Sequence, residues 1–344
     1  MGAQNILIQG VGGIGGVMAA TIIASGMNPV LITGNPEITA AIAGRGINTT
    51  MPGKRKPIVV PARVYTAIEE LTQDMKFDAA YLIMKATSVV EAAQKTIPHL
   101  EGDGYVVTFQ NGIVEDAVAA AVGADRVVSG IIGWGGTMHA PGVYEKTSPG
   151  ETHIGELDGE MTARLRDLAD DIASSAPVVI SGNIRGALWS KLAINCTITT
   201  LGAITGETLG QMLADRQTRL VLMRIYTEVI DTAEANGIKL ERITADPRLL
   251  YLPKRAGFIT RWKKDFIARM VGRKFAKVKS SMLQGLERGR KTEIDFLNGY
   301  VVEYAKKAGV PVPMNECLVG QIKEIETGAR GMSPLNLRDL KQAM

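Results

Sequence analysis

NILIQGVGGIGGVMAATIIASG, residues 5–26, carries no ionisable side chain, and the first charge in the chain is Glu37. An apolar run this long, Ile6 to Met27, has the length of a membrane span. Its glycines argue otherwise. Gly10, Gly12, Gly13, Gly15 and Gly16 fall in one cluster rather than along a helix, and no basic segment precedes them as a signal peptide requires. A short apolar run, a glycine turn and a second apolar run read as strand, loop and helix. The strand is Asn5–Gln9, the loop GVGGIG spans 10–15, the helix runs Ile14–Ser25, and NPVLIT at 28–33 is a second strand. Glycines at the first turn of a βαβ unit are the context of a dinucleotide-binding fingerprint. Gly10 permits the turn, Gly12 lets the backbone approach a pyrophosphate, and Gly15 lets helix and strand pack closely. The helix N-terminus, with Gly13 and Ile14, then faces the anion. The alternative is a glycine-rich turn that only packs tightly.

The alternation continues. Thr66–Leu71 reads as helix, Ala79–Met84 as a buried strand, Val89–Ile97 as helix, and Tyr105–Phe109 and Arg126–Ile131 as strands. This pattern predicts a doubly wound parallel sheet. Between Thr137 and Gly155 the texture changes: GVYE at 142–145 and ETHI at 151–154, separated by SPG at 148–150, suggest a hairpin added to the sheet edge. Met161–Ser174 is helical and Pro177–Ile180 is a last strand. From Asn183 the helix period dominates. The expectation is an α/β domain over 1–181 followed by an all-α domain over 182–344, two domains being natural for 344 residues.

A net charge of +4 permits an anionic ligand without suggesting a nucleic-acid binder. Two cysteines, Cys196 and Cys317, provide no disulfide framework and fit a reducing, cytoplasmic setting. His99, His139 and His153 show no metal-ligand spacing, so no metal is expected.

WSKLAINCTITTLGAITG, residues 189–206, holds one charge, Lys191. A lysine entering an apolar stretch snorkels to water, pairs with a carboxylate, or loses basicity. Lys191, Asn195 and Thr199 are spaced by four and share a face if the stretch is helical, although the β-branched TITT also reads as strand.

These segments, taken in order, resemble the ketopantoate reductases, also called 2-dehydropantoate 2-reductases. The resemblance rests on GVGGIG at 10–15, LIMK at 82–85, FQNGI at 109–113, APGVYEKTSPGETHIGE at 140–156, WSKLAIN at 189–195, SSMLQ at 280–284 and KTEIDFLNG at 291–299. It implies a Rossmann domain, a helical domain and an active site in the cleft. It also implies reduction of a 2-oxo acid by NADPH, most directly 2-dehydropantoate to (R)-pantoate on the route to pantothenate and coenzyme A. By resemblance Lys191 matches the catalytic lysine and Glu293 its acidic partner. Asn111 matches a position near nicotinamide and substrate, Asn195 and Ser281 match substrate-binding positions, and Lys85 matches a lysine near the nicotinamide ribose. The chemistry suits these types, because hydride arriving at C2 leaves an alkoxide that an acid must neutralise.

The chain also departs from the family. Where an arginine often meets the 2′-phosphate of NADPH, this sequence has Gly34, so NADH is a serious alternative. Asn35, Arg45, Lys54 and Arg55 are candidate substitutes. Around the substrate, Thr199 and Val278 replace asparagines and Gly285 replaces an acid. That pocket has fewer groups for a hydroxylated tail, so a different 2-oxo acid is a second reading. A non-catalytic dinucleotide sensor is a third. Arg248–Lys279 is rich in Lys and Arg, with Phe258, Trp262, Phe266 and Phe275 interleaved and Asp265 as its one acid. It is read as a solvated helix, a lid or a homodimer contact rather than a membrane-surface helix. A small-molecule partner is expected, with no nucleic acid and no membrane.

Overall fold

The computed structural model describes residues 5–243 and 245–343. The chain divides into two compact units. One comprises the residues up to Gln110 together with Val114–Ile184; the other comprises Asn111–Ile113 together with the residues from Arg185 onward.

The first unit carries twelve strands: β1 (Ile6–Gln9), β2 (Val30–Ile32), β3 (Ile47–Thr50), β4 (Ile58–Val60), β5 (Arg63–Tyr65), β6 (Phe77–Leu82), β7 (Leu100–Thr108), β8 (Val127–Ile132), β9 (Gly135–Ala140), β10 (Val143–Ser148), β11 (Thr152–Glu156) and β12 (Val178–Ile180). Its helices are α1 (Gly13–Ala24), α2 (Pro36–Arg45), α3 (Ala86–Thr96), α4 (Glu115–Val122) and α5 (Ala163–Ile172). Eight strands form one sheet in the order β12-β11-β8-β7-β6-β1-β2-β5. Its pairs are parallel except β8 with β11. The α/β reading therefore holds, with one antiparallel join. β1 and β8 are buried along their whole length, which is why they read as continuous apolar runs.

The predicted edge hairpin is corrected. β9 and β10 pair antiparallel, but they join β3 and β4 in a separate four-stranded sheet, order β4-β3-β10-β9. β11 alone goes to the large sheet. The two runs expected to pair with each other do not: β10 pairs with β9 and β3, and β11 with β8 and β12, so the Ser-Pro-Gly turn carries the chain from one sheet to the other instead of closing a hairpin. The predicted helix at Thr66–Leu71 shrinks to one 3₁₀ turn, Ile68–Glu70.

The second sheet explains the uncharged N-terminal run. Helix α1 packs on β9, β10, β3 and β4 as well as against the large sheet. Gly15 to Ile22 are all buried, so the middle turns of the helix have no solvent face on which to carry charge. Burying Val17, Met18 and Ile22 contributes about 1.5–3 kcal/mol apiece to folding. Among the described residues, no helix is long and apolar enough to cross a membrane.

The second unit is helical: α6 (Ile184–Ile194, its first residue belonging to the first unit), α7 (Thr200–Thr205), α8 (Leu209–Ala214), α9 (Arg216–Ala235), α10 (Phe258–Lys274), α11 (Ser281–Leu286), α12 (Asn298–Ala308), α13 (Pro313–Glu326) and α14 (Leu337–Gln342). A π-helical turn, Asn195–Thr199, links α6 to α7.

Candidate active site

In the first unit the glycines act through close approach. Gly10 has φ +95°, and a Cβ there would stand 2.6 Å from the Met84 nitrogen. A Cβ at Gly15 would run into the Gly10 carbonyl oxygen. At Gly12 a Cβ would meet nothing within 4 Å, and the residue is exposed. The loop is tight against the protein at Gly10 and Gly15 and open at Gly12, where the first N–H groups of α1, those of Gly13, Ile14 and Gly15, lack intrahelical acceptors. This arrangement fits a pyrophosphate. Two further glycines have a reason the sequence did not disclose. A Cβ at Gly13 would meet the Gly136 carbonyl of β9, and one at Gly16 the Tyr144 ring of β10. The Tyr144 hydroxyl donates to the Val11 carbonyl at 3.0 Å and so fastens the glycine loop to the second sheet.

Lys85 is held beside this loop. The Ile83 N–H donates to the Gln9 carbonyl at 2.7 Å, and exposed Lys85 stands at the position just before α3. The buried Gln110 amide donates to the Leu82 carbonyl at 2.8 Å and the Met84 carbonyl at 3.1 Å, tying the ends of β6 and β7 together. Just past the QNG turn, the carboxylate of buried Glu115 accepts from the Thr108 and Ser129 hydroxyls, each at 2.8 Å, and from the Val114 N–H at 3.0 Å. Burial raises its pKa, and these three donors oppose the rise.

The turn after β2 is neutral. Gly34 takes φ +68° and Asn35 caps α2 through the Glu37 N–H at 2.9 Å. Arg45 ends α2, roughly 15 Å along the helix from Asn35, at the end remote from that turn.

In the second unit, Gly112 has φ +90° and its backbone lies against the Phe296 carbonyl, which accepts from the Ile113 N–H at 3.1 Å. Phe296 closes the 3₁₀ turn Ile294–Phe296 that Glu293 begins. The Asn111 turn and the Glu293 turn, 182 positions apart in sequence, therefore meet at one backbone hydrogen bond.

Lys191 lies half-buried on α6. Trp189 fixes the rotation of that helix. It is buried, with its ring 5.8 Å from Tyr300 and 5.7 Å from Tyr304 of α12. Two helical positions on, Lys191 turns away from that contact. Asn195, one turn further, opens the π turn, and its buried Nδ2 has no hydrogen-bond partner. The shared-face expectation holds from Lys191 to Asn195. The wider π turn then rotates Thr199 relative to a regular helix. TITT is helical in the structure, and the Thr197 hydroxyl bonds back to the Ala193 carbonyl at 2.6 Å, a bond that bends a helix rather than strengthening it. The Thr199 carbonyl accepts from the hydroxyl of Ser280 at 2.9 Å, and Ser280 caps α11. Ser281, the residue singled out in the sequence, is the exposed first residue of that helix.

Residues 6–159 match the family described as ketopantoate reductase PanE/ApbA, and residues 183–326 match its C-terminal domain. The chain belongs to the ketopantoate reductase family. It is a reductase of that family, whose members are NAD(P)H-dependent oxidoreductases acting on CH–OH groups. The 2-dehydropantoate 2-reductase of Mesorhizobium japonicum is 27% identical over 346 residues, covering 94% of this chain and 98% of its own length. That of Pyrococcus abyssi is 28% identical, covering 93% and 97%. Among solved structures, a ketopantoate reductase from Ralstonia eutropha superposes with a TM-score of 0.79 at 25% identity, covering 94% of this chain and 99% of its own. D-mandelate dehydrogenase in complex with NADH and anilino(oxo)acetate shares the fold, with a TM-score of 0.79 at 22% identity, covering 94% and 98%.

Behind the family's lysine helix lies a buried polar chain that no local sequence signal announced. Asn298, fully buried at the start of α12, donates to the Cys196 carbonyl of the π turn at 3.0 Å and to Asn315 Oδ1 at 2.9 Å. It accepts from the Thr200 hydroxyl at 2.6 Å. Asn315 donates in turn to Glu228 of α9 at 2.7 Å, and that carboxylate also accepts the Met314 and Asn315 N–H groups. Every link is satisfied, so the network holds the π turn in one geometry.

Proposed function

We infer that this reductase converts a 2-oxo acid to a 2-hydroxy acid, with 2-dehydropantoate as its first candidate substrate. The observation that carries the reading is the buried Nδ2 of half-buried Asn195, a donor with no hydrogen-bond partner, one helical turn from Lys191. An unpaired buried donor beside a cation is costly unless a ligand oxygen completes it. Residues 1–181 are assigned to the dinucleotide and 182–344 to the substrate. A reduced nicotinamide held there would supply hydride to the substrate's C2. Lys191 donates a hydrogen bond to the C2 oxygen and passes it a proton as negative charge develops there. Glu293 holds the ammonium in place. Asn195, Ser281 and Thr199 orient the acid, and Asn111 steadies the carbonyl and the nicotinamide edge. Gly10, Gly12, Gly13, Ile14 and Gly15 hold the pyrophosphate, with Lys85 toward the ribose.

NADPH is the first candidate cofactor, and the neutral Gly34 turn, which offers no cation to a 2′-phosphate, supports NADH as the alternative. A second substrate reading follows from Thr199, Val278 and Gly285. A pocket with fewer amides and one acid fewer suits a 2-oxo acid with a less hydroxylated tail, and an aryl 2-oxo acid such as phenylglyoxylate is its test compound. The deciding experiment follows the oxidation of NADH and of NADPH separately, with 2-dehydropantoate and with phenylglyoxylate. Rapid turnover of 2-dehydropantoate supports pantoate synthesis. Turnover of the aryl acid alone moves the enzyme to the second reading. Dinucleotide binding without turnover of any 2-oxo acid overturns both in favour of a sensor.

A further inference from the structure

Helix α10 turns its large apolar side chains the wrong way for a core. Phe258, Ile259, Trp262, Phe266 and Met270 are 80%, 68%, 60%, 51% and 46% exposed. Their spacing places them on one face. The opposite face carries Ala268 and Gly272, both buried, and a Cβ at Gly272 would stand 2.5 Å from Leu213 of α8. Small residues thus bring the helix hard against the bundle while its aromatics point outward. Trp262 and Phe266 stack on each other at 6.0 Å.

The charges are segregated on the same segment. Residues 254–279 hold ten of the chain's 39 Lys and Arg but one of its 35 acids. The rest of the chain then holds 29 against 34, a net of −5 beside a segment of +9. The single acid, Asp265, is already engaged. It takes a two-pronged ion pair from buried Arg219 of α9, at 2.7 and 3.0 Å, and Arg219 also caps the Leu213 and Ala214 carbonyls. Asp265 therefore anchors the helix and does not offset its outward charge. Arg269 and Arg273 fall among the exposed aromatics, and Lys263, Lys274 and Lys277 flank them, all exposed.

We propose that this outward face of α10 docks the protein on an anionic lipid surface. The apolar side chains enter the acyl–headgroup boundary, and the interleaved arginines and lysines meet the lipid phosphates. The charge argues against a second copy of the chain, since an isologous contact would set one +9 segment against another. The aliphatic Ile259 and Met270 suit acyl chains and offer no stacking surface to nucleic-acid bases.

The full-length protein is sedimented with vesicles of phosphatidylcholine containing phosphatidylglycerol, and with vesicles of phosphatidylcholine alone. Trp262 is a built-in reporter, because Trp134 and Trp189 are both buried. The expected result is binding to the anionic vesicles only, release at high salt, and a blue shift of tryptophan emission. Two variants, Phe258→Ser/Trp262→Ser/Phe266→Ser and Arg269→Glu/Arg273→Glu, alter exposed side chains only. Each is expected to weaken vesicle binding at least about tenfold with dinucleotide oxidation kept. Equal sedimentation with both vesicle types, or variants that bind like the wild type, would overturn the proposal. So would a wild-type dimer that the triple substitution converts to monomer, or binding of an oligonucleotide in preference to the vesicles.

Discussion

The glycine loop and the π turn, proposed to receive the dinucleotide and the substrate, are shaped by opposite means. At 10–16 the backbone shapes the loop: the absence of side chains lets α1 approach β1 and the second sheet, and the contact proposed for the dinucleotide is with the first N–H groups of the helix. At 191–200 the backbone is held from behind by Asn298, Asn315 and Glu228, and the contacts proposed for the substrate are with side chains. The first kind of site is vulnerable to an added methyl group, the second to a removed functional group.

Two single substitutions test that contrast most strongly. Lys191→Ala is expected to lower kcat by about 10²–10⁴, the usual worth of a positioned acid, with dinucleotide affinity and Tm little changed. Gly15→Ala is expected to do the reverse in kind. Its Cβ must displace the Gly10 carbonyl, so dinucleotide Kd rises and stability falls by roughly 1–3 kcal/mol. Unchanged kcat in the first variant, or unchanged Kd in the second, breaks the comparison.

A sharper test stays within the π turn. Asn298→Ala strips partners from the Cys196 carbonyl, the Thr200 hydroxyl and Asn315 at once, and is expected to cost about 2–4 kcal/mol in denaturant unfolding. Asn195→Ala removes an amide whose nitrogen has no internal partner. Its stability is expected to change by no more than about 0.5 kcal/mol, while kcat/KM falls about 10–100-fold. A large stability loss at Asn195 would mean that its amide serves the fold.

The smallest effect concerns pH. Burial raises the Glu228 carboxyl above its ordinary 4.5, against the pull of the Asn315 amide and two N–H groups. The folded state then holds that proton more tightly than the unfolded chain does. Acidification through the raised value stabilises the fold, and the gain is complete once the pH is below 4.5. Glu228→Gln cannot titrate, so the Tm of wild type minus variant is expected to be flat near neutrality and to climb as pH falls. A difference that shrinks on acidification would reverse the assigned direction.

The legibility of these regions in sequence follows from the same contrast. Glycine is used where other residues cannot go, so Gly10 and Gly15 announced their geometry, though Gly13 and Gly16 needed the partner strands β9 and β10 to explain them. The short strands β3, β4 and β5 gave no periodic signal, having three or four residues each with mixed burial. Lys191 stood out as a lone charge among apolar neighbours. Asn298, Asn315 and Glu228 did not, because polar residues on helices ordinarily face water. Their convergence depends on contacts 17 to 102 positions apart. The outward aromatics of α10 were visible as composition, but their direction depended on Ala268, Gly272 and the Asp265–Arg219 pair.

Asn111, Gly112 and Ile113 pack with the helical unit although the chain delivers them from the end of β7. The two halves are consequently not interchangeable cassettes. A chimaera joined at residue 184 would seat one parent's Asn-Gly-Ile insert on another parent's Phe296. Its fit would depend on three residues far from the junction. A recombination that preserves function has to inherit those three from the same parent as residues 185–344, which makes this short insert, rather than the linker, the true seam of the protein.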